Sequence, residues 1–419
     1  MKGLCPASYL HLVPELYKCG ASPEIFVARG GDHSPWTSVP QCVPSTTGAR
    51  YCAFTNKDFA EGRGIAIVTT PAVAEELAKK PAFADPVSIA GMNDLVNPPW
   101  GPPAYEMRPL AGRGFGMIAN RTIVRGERLM QETPSFIVDR DMFDSVADEN
   151  RLPLQWNAVY QLPEVTREEF LALHKHAGGD EIDDVMRTNA FGAYYGDEFS
   201  LHNNVLPRIS RFNHDCRPNA HYYFDPDTMT QYVHAVRDIY PGEEILINYT
   251  DSEYTFAQRQ HAIHLSWGFN CTCSICRQPA DQIAASDDRL GQIAVLRDAL
   301  NDWTTISPHR AQDAELLVAL YEMERLHVPV ASGYEAAAYA WAVRGDEART
   351  RMWAAKAVEA MTILYGGDHE LTKDLGVLMR DPKNHRTWLY KGPQEGGIES
   401  GETRQKGQKE AEPSKWSFF

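Results

Sequence analysis

No stretch of this 419-residue chain approaches the roughly 20 consecutive apolar residues of a membrane span. Positive charge is also in the minority. Lys and Arg number 41 against 56 Asp and Glu, a net charge of -15. That balance argues against bulk attraction to nucleic acid or to an anionic membrane, since both need a basic face. It is compatible with a basic peptide or protein partner, and equally with acidity that serves only solubility. The opening MKGLCPASYLHLVPELYKCG is broken by prolines and lacks an unbroken apolar core, so no signal peptide is expected. Cysteine is sparse at eight residues, and Cys5, Cys19, Cys42 and Cys52 lie at wide, irregular intervals. They could form two disulfides in a secreted protein or remain free thiols in a reducing compartment. None of their spacings is tight enough to favour a second metal site. A cytoplasmic or nuclear location is expected, with a secretory route left open by these four residues.

What is present is the composition of a globular protein, 43% hydrophobic and 23% charged, with length enough for two or three domains. Residues 1–104 form a loop-rich, cysteine-containing region. Within it GIAIVTT (64–70) reads as a strand, followed by a helix opened by Pro71. NPPWGPP reads as an extended connector. From residue 105 the pattern becomes short strands and turns, interrupted at 141–185 by a charged helical insertion. EVTREEFLALHKHAGG is the clearest helix there, and Thr166 with Glu169 suggests a capping box. QYVHAVRDI and EEILINY are strands separated by a Tyr-Pro-Gly turn. Residues 283–392 read as helices. The last two long ones form an Ala-rich pair around Gly345-Asp346, like one tetratricopeptide-type hairpin. The Gly-, Glu- and Lys-rich tail 393–419 is expected to be disordered.

Chemistry concentrates in two stretches. FNCTCSIC (269–276) holds Cys271, Cys273 and Cys276, three ligands of a tetrahedral site that needs four. RFNHDCRPNA (211–220) is the densest polar cluster in the chain. It reads in three ways: a loop whose side chains cap backbone groups, a Cys–His nucleophile pair, or the source of the missing thiolate, Cys216. On the third reading the site is closed and structural.

Taken in order, GRGFG (112–116), NAF (189–191), RFNHDCRPNA, GEEILINY (242–249) and WGFNCTCSIC (267–276) resemble a SET-domain protein-lysine methyltransferase. The nearest pattern is the SMYD subgroup, in which a split SET domain is followed by a cysteine post-SET segment and a helical domain. The chain departs from it in lacking the MYND zinc finger. The resemblance implies an α+β chain: a mainly-β SET fold at 105–255, a post-SET zinc segment at 256–282 and an all-α TPR-like region beyond. It implies S-adenosylmethionine as methyl donor, held by Gly112, Arg113, Gly114, Asn189, Asn213, His214 and Phe269. It implies Tyr249 as the catalytic tyrosine, which also borders the donor. Phe191, Ser210 and Trp267 would line the channel for the substrate lysine, and Cys216, Cys271, Cys273 and Cys276 would hold structural zinc. The reading that competes for Tyr249 is a core tyrosine at a strand end. A decoy, GRG at 62–64, precedes another strand. The second copy is preferred because the other motifs follow it at the family's spacing. The expected partner is a protein carrying a target lysine, with no direct nucleic acid or membrane contact, and the chain is expected to be a monomer. The rivals are a SET-fold binding module without strong catalysis and a secreted cysteine-rich protein using the fold for something else.

Overall fold

The computed structural model describes residues 33–85, 103–195 and 200–392, with Phe26–Val27 as a further strand. Cys5, Cys19, most of the Pro-rich connector and the tail 393–419 lie outside them. The chain divides into two compact units. One comprises the described residues among Met1–Asn93 together with Thr133–Pro207 and Pro226–Thr230. The other comprises those among Asp94–Glu132, Arg208–Asp225 and the chain from Gln231 onward.

The first unit is built on a seven-stranded sheet. Its order is Phe26–Val27, Gln41–Pro44, Arg50–Asn56, Ile65–Thr69, Phe136–Asp139, Ser200–Val205 and Ala190–Tyr195. The strand expected at 64–70 is central in it and wholly buried, which explains its run of Ile, Ala and Val. Thr70 caps the helix Pro71–Ala78 that follows. Cys42 and Cys52 stand opposite each other on adjacent antiparallel strands and are joined by a disulfide. The insertion is helical, with helices Asp148–Tyr160, Glu164–Leu171 and Glu181–Asn189. The expected capping box at Thr166 is not formed. The helix starts earlier, after Pro163, and stops at Leu171. Thr166 lies inside it, and its hydroxyl donates to the Arg63 carbonyl at 2.5 Å. Glu169 pairs with the Arg63 guanidinium at 3.0 Å. Local hydroxyl-and-carboxylate spacing was thus satisfied by tertiary partners rather than by a cap.

The second unit has two small sheets and the helices. A four-stranded sheet runs Asn213–His214, Glu244–Ile247, Gly114–Ala119, Tyr105–Leu110. A three-stranded sheet runs Ala220–Asp225, Thr230–Ala235, Arg128–Glu132. Helices Ala280–Asn301, Arg310–Met323, Val330–Val343, Glu347–Tyr365 and Glu370–Arg380 follow. Small residues Ala337, Ala338, Ala340, Ala342, Ala354 and Ala357 fill their shared core, and Asp346 caps the helix after the turn through Arg349 N–H at 3.0 Å. Among the described residues no helix is long and apolar enough to cross a membrane.

Candidate active site and metal centre

The polar cluster at 211–220 is set by a short parallel pairing. Asn213 lies opposite Leu246 and His214 opposite Ile247. A buried carboxylate prepares the approach: Glu132 accepts the backbone N–H groups of Arg208 (3.1 Å) and Ile209 (2.8 Å) at the start of a 3₁₀ turn, Ile209–Arg211. Ser210 sits in that turn. Past the cluster, the Asn219 side chain bonds the Glu244 carbonyl at 2.9 Å and the Leu246 N–H at 2.7 Å, so it serves as one more strand partner. The Pro-Asn step of the motif is therefore structural.

On the face of this sheet that carries Asn213, the Asn213 amide donates to the Phe115 carbonyl and to Glu244 Oε1, each at 2.8 Å. The other oxygen of Glu244 pairs with Arg113. A methyl added at Gly116 would meet Leu110 Cδ1 at 2.4 Å, Glu244 Oε1 at 2.6 Å and Asn213 Nδ2 at 3.2 Å, so only glycine fits there without moving them. Gly112 and Gly114 have positive φ, and their Cβ positions face open space. Glu244 also lines a cavity of about 210 Å3 with Asp215, Leu246 and Ser274. Glu244 lies within GEEILINY, a motif whose resemblance assigns it no role. Strand alternation, which puts it two residues from Leu246 and so on the Asn213 side, was the usable signal.

His214 is buried, which lowers its pKa to about 4 and keeps the ring neutral. Its Nδ1 accepts the Tyr249 N–H at 3.0 Å. The ring proton is therefore assigned to Nε2, which lies 3.3 Å from Cys216 Sγ and donates to it. One imidazole thus links the sulfur cluster to Tyr249. The Tyr249 ring packs at 5.0 Å from Trp267 and 5.3 Å from His214, and its hydroxyl donates to the Phe212 carbonyl at 2.8 Å. Burial, then the nearby Glu244 and Tyr222, hold that hydroxyl well above the ordinary phenol range. Tyr249 is therefore a fixed hydrogen-bond donor and not a base. Tyr222, pushed by burial to about 12 and close enough to act on Tyr249, is a ring the motif reading missed.

Cys216, Cys271, Cys273 and Cys276 bring their sulfurs within 4.8 Å of one another. Cys216 Sγ lies 3.8 Å from Cys271 Sγ and 3.7 Å from Cys276 Sγ. A tetrahedral zinc with bonds of about 2.3 Å needs sulfurs about 3.8 Å apart. The set fits that ion, and four thiolates fill its tetrahedron, which leaves no open position for catalysis. The helix Phe256–Trp267 braces the clasp, because Gln260 bonds the Cys271 carbonyl at 2.8 Å and its N–H at 3.0 Å. The helix is opened by a true capping box, Thr255 with Gln258, and closed by Gly268, so Phe269 emerges beside the clasp and is 40% exposed. Asn189 and Phe191 belong to the first unit. Asn189 donates to the carbonyls of His174 and Val185, each at 2.8 Å, and Phe191 is buried on a strand opposite Asn204.

Residues 114–250 match the SET domain. This part of the chain is a SET domain. The chain is 27% identical over 296 residues to the histone-lysine N-methyltransferase set5 of Schizosaccharomyces pombe, covering 68% of this chain and 87% of that one. It is also 42% identical over 67 residues to a SET and MYND domain-containing protein of Dictyostelium discoideum. The protein-lysine N-trimethyltransferase SMYD5 of Mus musculus is 39% identical over 72 residues. These two matches span less than a fifth of either partner. The GRG at 112–114, and not the copy at 62–64, is the one that leads into the SET match.

Proposed function

We propose that the chain is a protein-lysine methyltransferase that uses S-adenosylmethionine. The observation that carries this reading is Tyr249: a protonated, donating phenol between His214 and Trp267, tied through one imidazole to a four-sulfur clasp. The open backbone at Gly112 and Gly114, the close approach at Gly116 and the Asn213 amide suit the donor's polar end. Phe269 supplies an apolar face next to the clasp, and Asn189 is assigned to the donor through the family alone. When bound, S-adenosylmethionine supplies an electrophilic methyl on a sulfonium.

The chain's own residues do the rest. Lysine, with an ordinary pKa near 10.4, must arrive neutral. Rings around the channel, Tyr249 and Trp267, exclude water and favour the uncharged amine, and Phe191 and Ser210 are assigned to the lysine channel through the family alone. The Tyr249 hydroxyl orients, and the clasp, loaded with zinc, keeps Phe269 and the Asn213 loop together. The net charge of -15 suits a basic substrate segment. Reduced cysteines in the clasp suit a cytoplasmic or nuclear location, whereas the Cys42–Cys52 bond suits an oxidising compartment.

The test is titration of S-adenosylmethionine into zinc-assayed protein, beside Asn213→Ala and Tyr249→Phe. Binding with one zinc, lost in Asn213→Ala, is expected. Tyr249→Phe should bind but turn over about 10²–10³-fold more slowly, the usual cost of one positioned donor. Wild-type turnover should keep rising to about pH 9 as lysine loses its proton, because the phenol stays protonated there. Zinc-loaded, folded protein that binds no donor would return the chain to the alternative of a binding module.

A further inference from the structure

Arg217, between the clasp ligand Cys216 and Pro218, has no role in the motif reading, yet its guanidinium is buried and bonded through all three nitrogens. Nε donates to the Glu324 carbonyl at 2.5 Å, and Nη2 to Glu324 Oε2 at 2.8 Å. Nη1 donates to the Cys216 carbonyl at 3.0 Å and to the Ser252 carbonyl at 2.9 Å. Glu324 follows the helix Arg310–Met323, and its carboxylate also accepts Ser286 Oγ (2.7 Å) and Arg289 Nε (2.6 Å) from the helix Ala280–Asn301. The segment just after Tyr249 is held twice more by the same helices. Glu253 accepts the Tyr321 hydroxyl at 3.0 Å and pairs with Arg297. The Phe256 N–H donates to Asp287 at 2.8 Å. Buried charged pairs are an expensive way to hold helices together, and apolar packing would serve that end as well. The buried pair Arg217–Glu324 also ties the helices to the backbone at Cys216 and Ser252, on either side of the proposed site.

We infer that the helical segment is a positioning element of this site. Through Arg217–Glu324 and Glu253–Tyr321 it fixes the loop of Asn213 to Cys216 and the loop that follows Tyr249. The inference rests on the methyltransferase reading above. It makes Arg217, Glu324 and Tyr321 positioning residues, and it makes the helices part of the site rather than an appended module.

The experiment uses the full chain with zinc content, melting temperature and S-adenosylmethionine affinity measured on each sample. Arg217→Lys and Glu324→Gln should each retain one zinc and weaken donor affinity about tenfold. Their double variant should be no weaker than the worse single one. Arg289→Gln removes another partner of Glu324 but touches neither loop, so it should lower the melting temperature and leave affinity within about twofold of wild type. If Glu324→Gln does not fold, Tyr321→Phe, which deletes one hydroxyl, carries the same expectation. Wild-type affinity in folded, zinc-loaded Arg217→Lys and Tyr321→Phe would overturn the inference and leave the function intact. A wild-type protein that binds no donor would sink both.

Discussion

The tripeptide Gly-Arg-Gly occurs twice, at 62–64 and 112–114, each time before a strand. At the first copy the Cβ position of Gly62 faces open space too, but a Cβ on Gly64 would meet Pro163 Cδ at 2.4 Å, while Arg63 is bonded by Thr166 and Glu169 of the insertion. Its glycine serves packing, and the strand beyond is buried on both sides. At the second copy the Cβ positions of Gly112 and Gly114 face open space, and Arg113 reaches Glu244 beside Asn213. Its glycines leave room. The same three letters therefore mean a packed joint in one unit and an open turn in the other, and only the neighbours decide which.

Those neighbours depend on the sulfur clasp, so removing metal should break the comparison most completely. Chelation of zinc-loaded protein should release one equivalent of zinc and abolish donor binding, because unpaired thiols cannot hold the segment of Phe269 against the Asn213 loop. The first unit holds none of the four sulfurs. Its amides, including those of the strand Ile65–Thr69, should keep their protection in hydrogen exchange. Loss of protection in both units together would mean that the two turns are not independent.

The next effect is steric. Gly64→Ala adds strain at φ +76° and a clash with Pro163. It should cost roughly 2–5 kcal/mol of stability, with donor affinity unchanged in what remains folded. Gly116→Ala pushes on Glu244 and Asn213 instead. It should cost less in melting temperature, about 1–3 kcal/mol, and more in affinity. Equal losses of affinity in both variants would erase the distinction.

The contrast also marks what the sequence could disclose. Ordered motifs were enough to pick the second Gly-Arg-Gly, and the C-x-C-x2-C spacing with Cys216 foretold a four-sulfur set. The strand at 64–70 followed from its apolar run, the helix after it from Pro71, and the helix pair from its alanines around Gly345-Asp346. Thr166 was misjudged because a hydroxyl and a carboxylate three residues apart look alike whether they close a cap or reach Arg63 from another part of the chain. Arg217 and Glu324 were invisible for a related reason. They are 107 positions apart, and nothing local distinguishes an arginine that will be buried from one that will face water. The Cys42–Cys52 bond needed strand register, which irregular cysteine spacing does not contain.

The smallest effect lies in the two arginines, and it separates the copies most sharply. Arg63 is mostly buried where it meets Glu169, with side-chain exposures of 12% and 32%. Arg63→Gln should therefore cost about 1 kcal/mol of stability and leave the donor untouched. The Arg113 side chain is 52% exposed, and its pair with Glu244 adds little to stability. But Glu244 uses its other oxygen to hold Asn213 at 2.8 Å. Freed of Arg113, that carboxylate can swing and take the amide with it. Arg113→Gln should leave the melting temperature in place and weaken donor affinity by a factor of about 3, with the difference shrinking as salt rises. Parallel melting curves and donor titrations of the two variants, at low and high salt, check both halves. A stability loss in Arg113→Gln with no change in affinity would assign the second arginine the same packing role as the first.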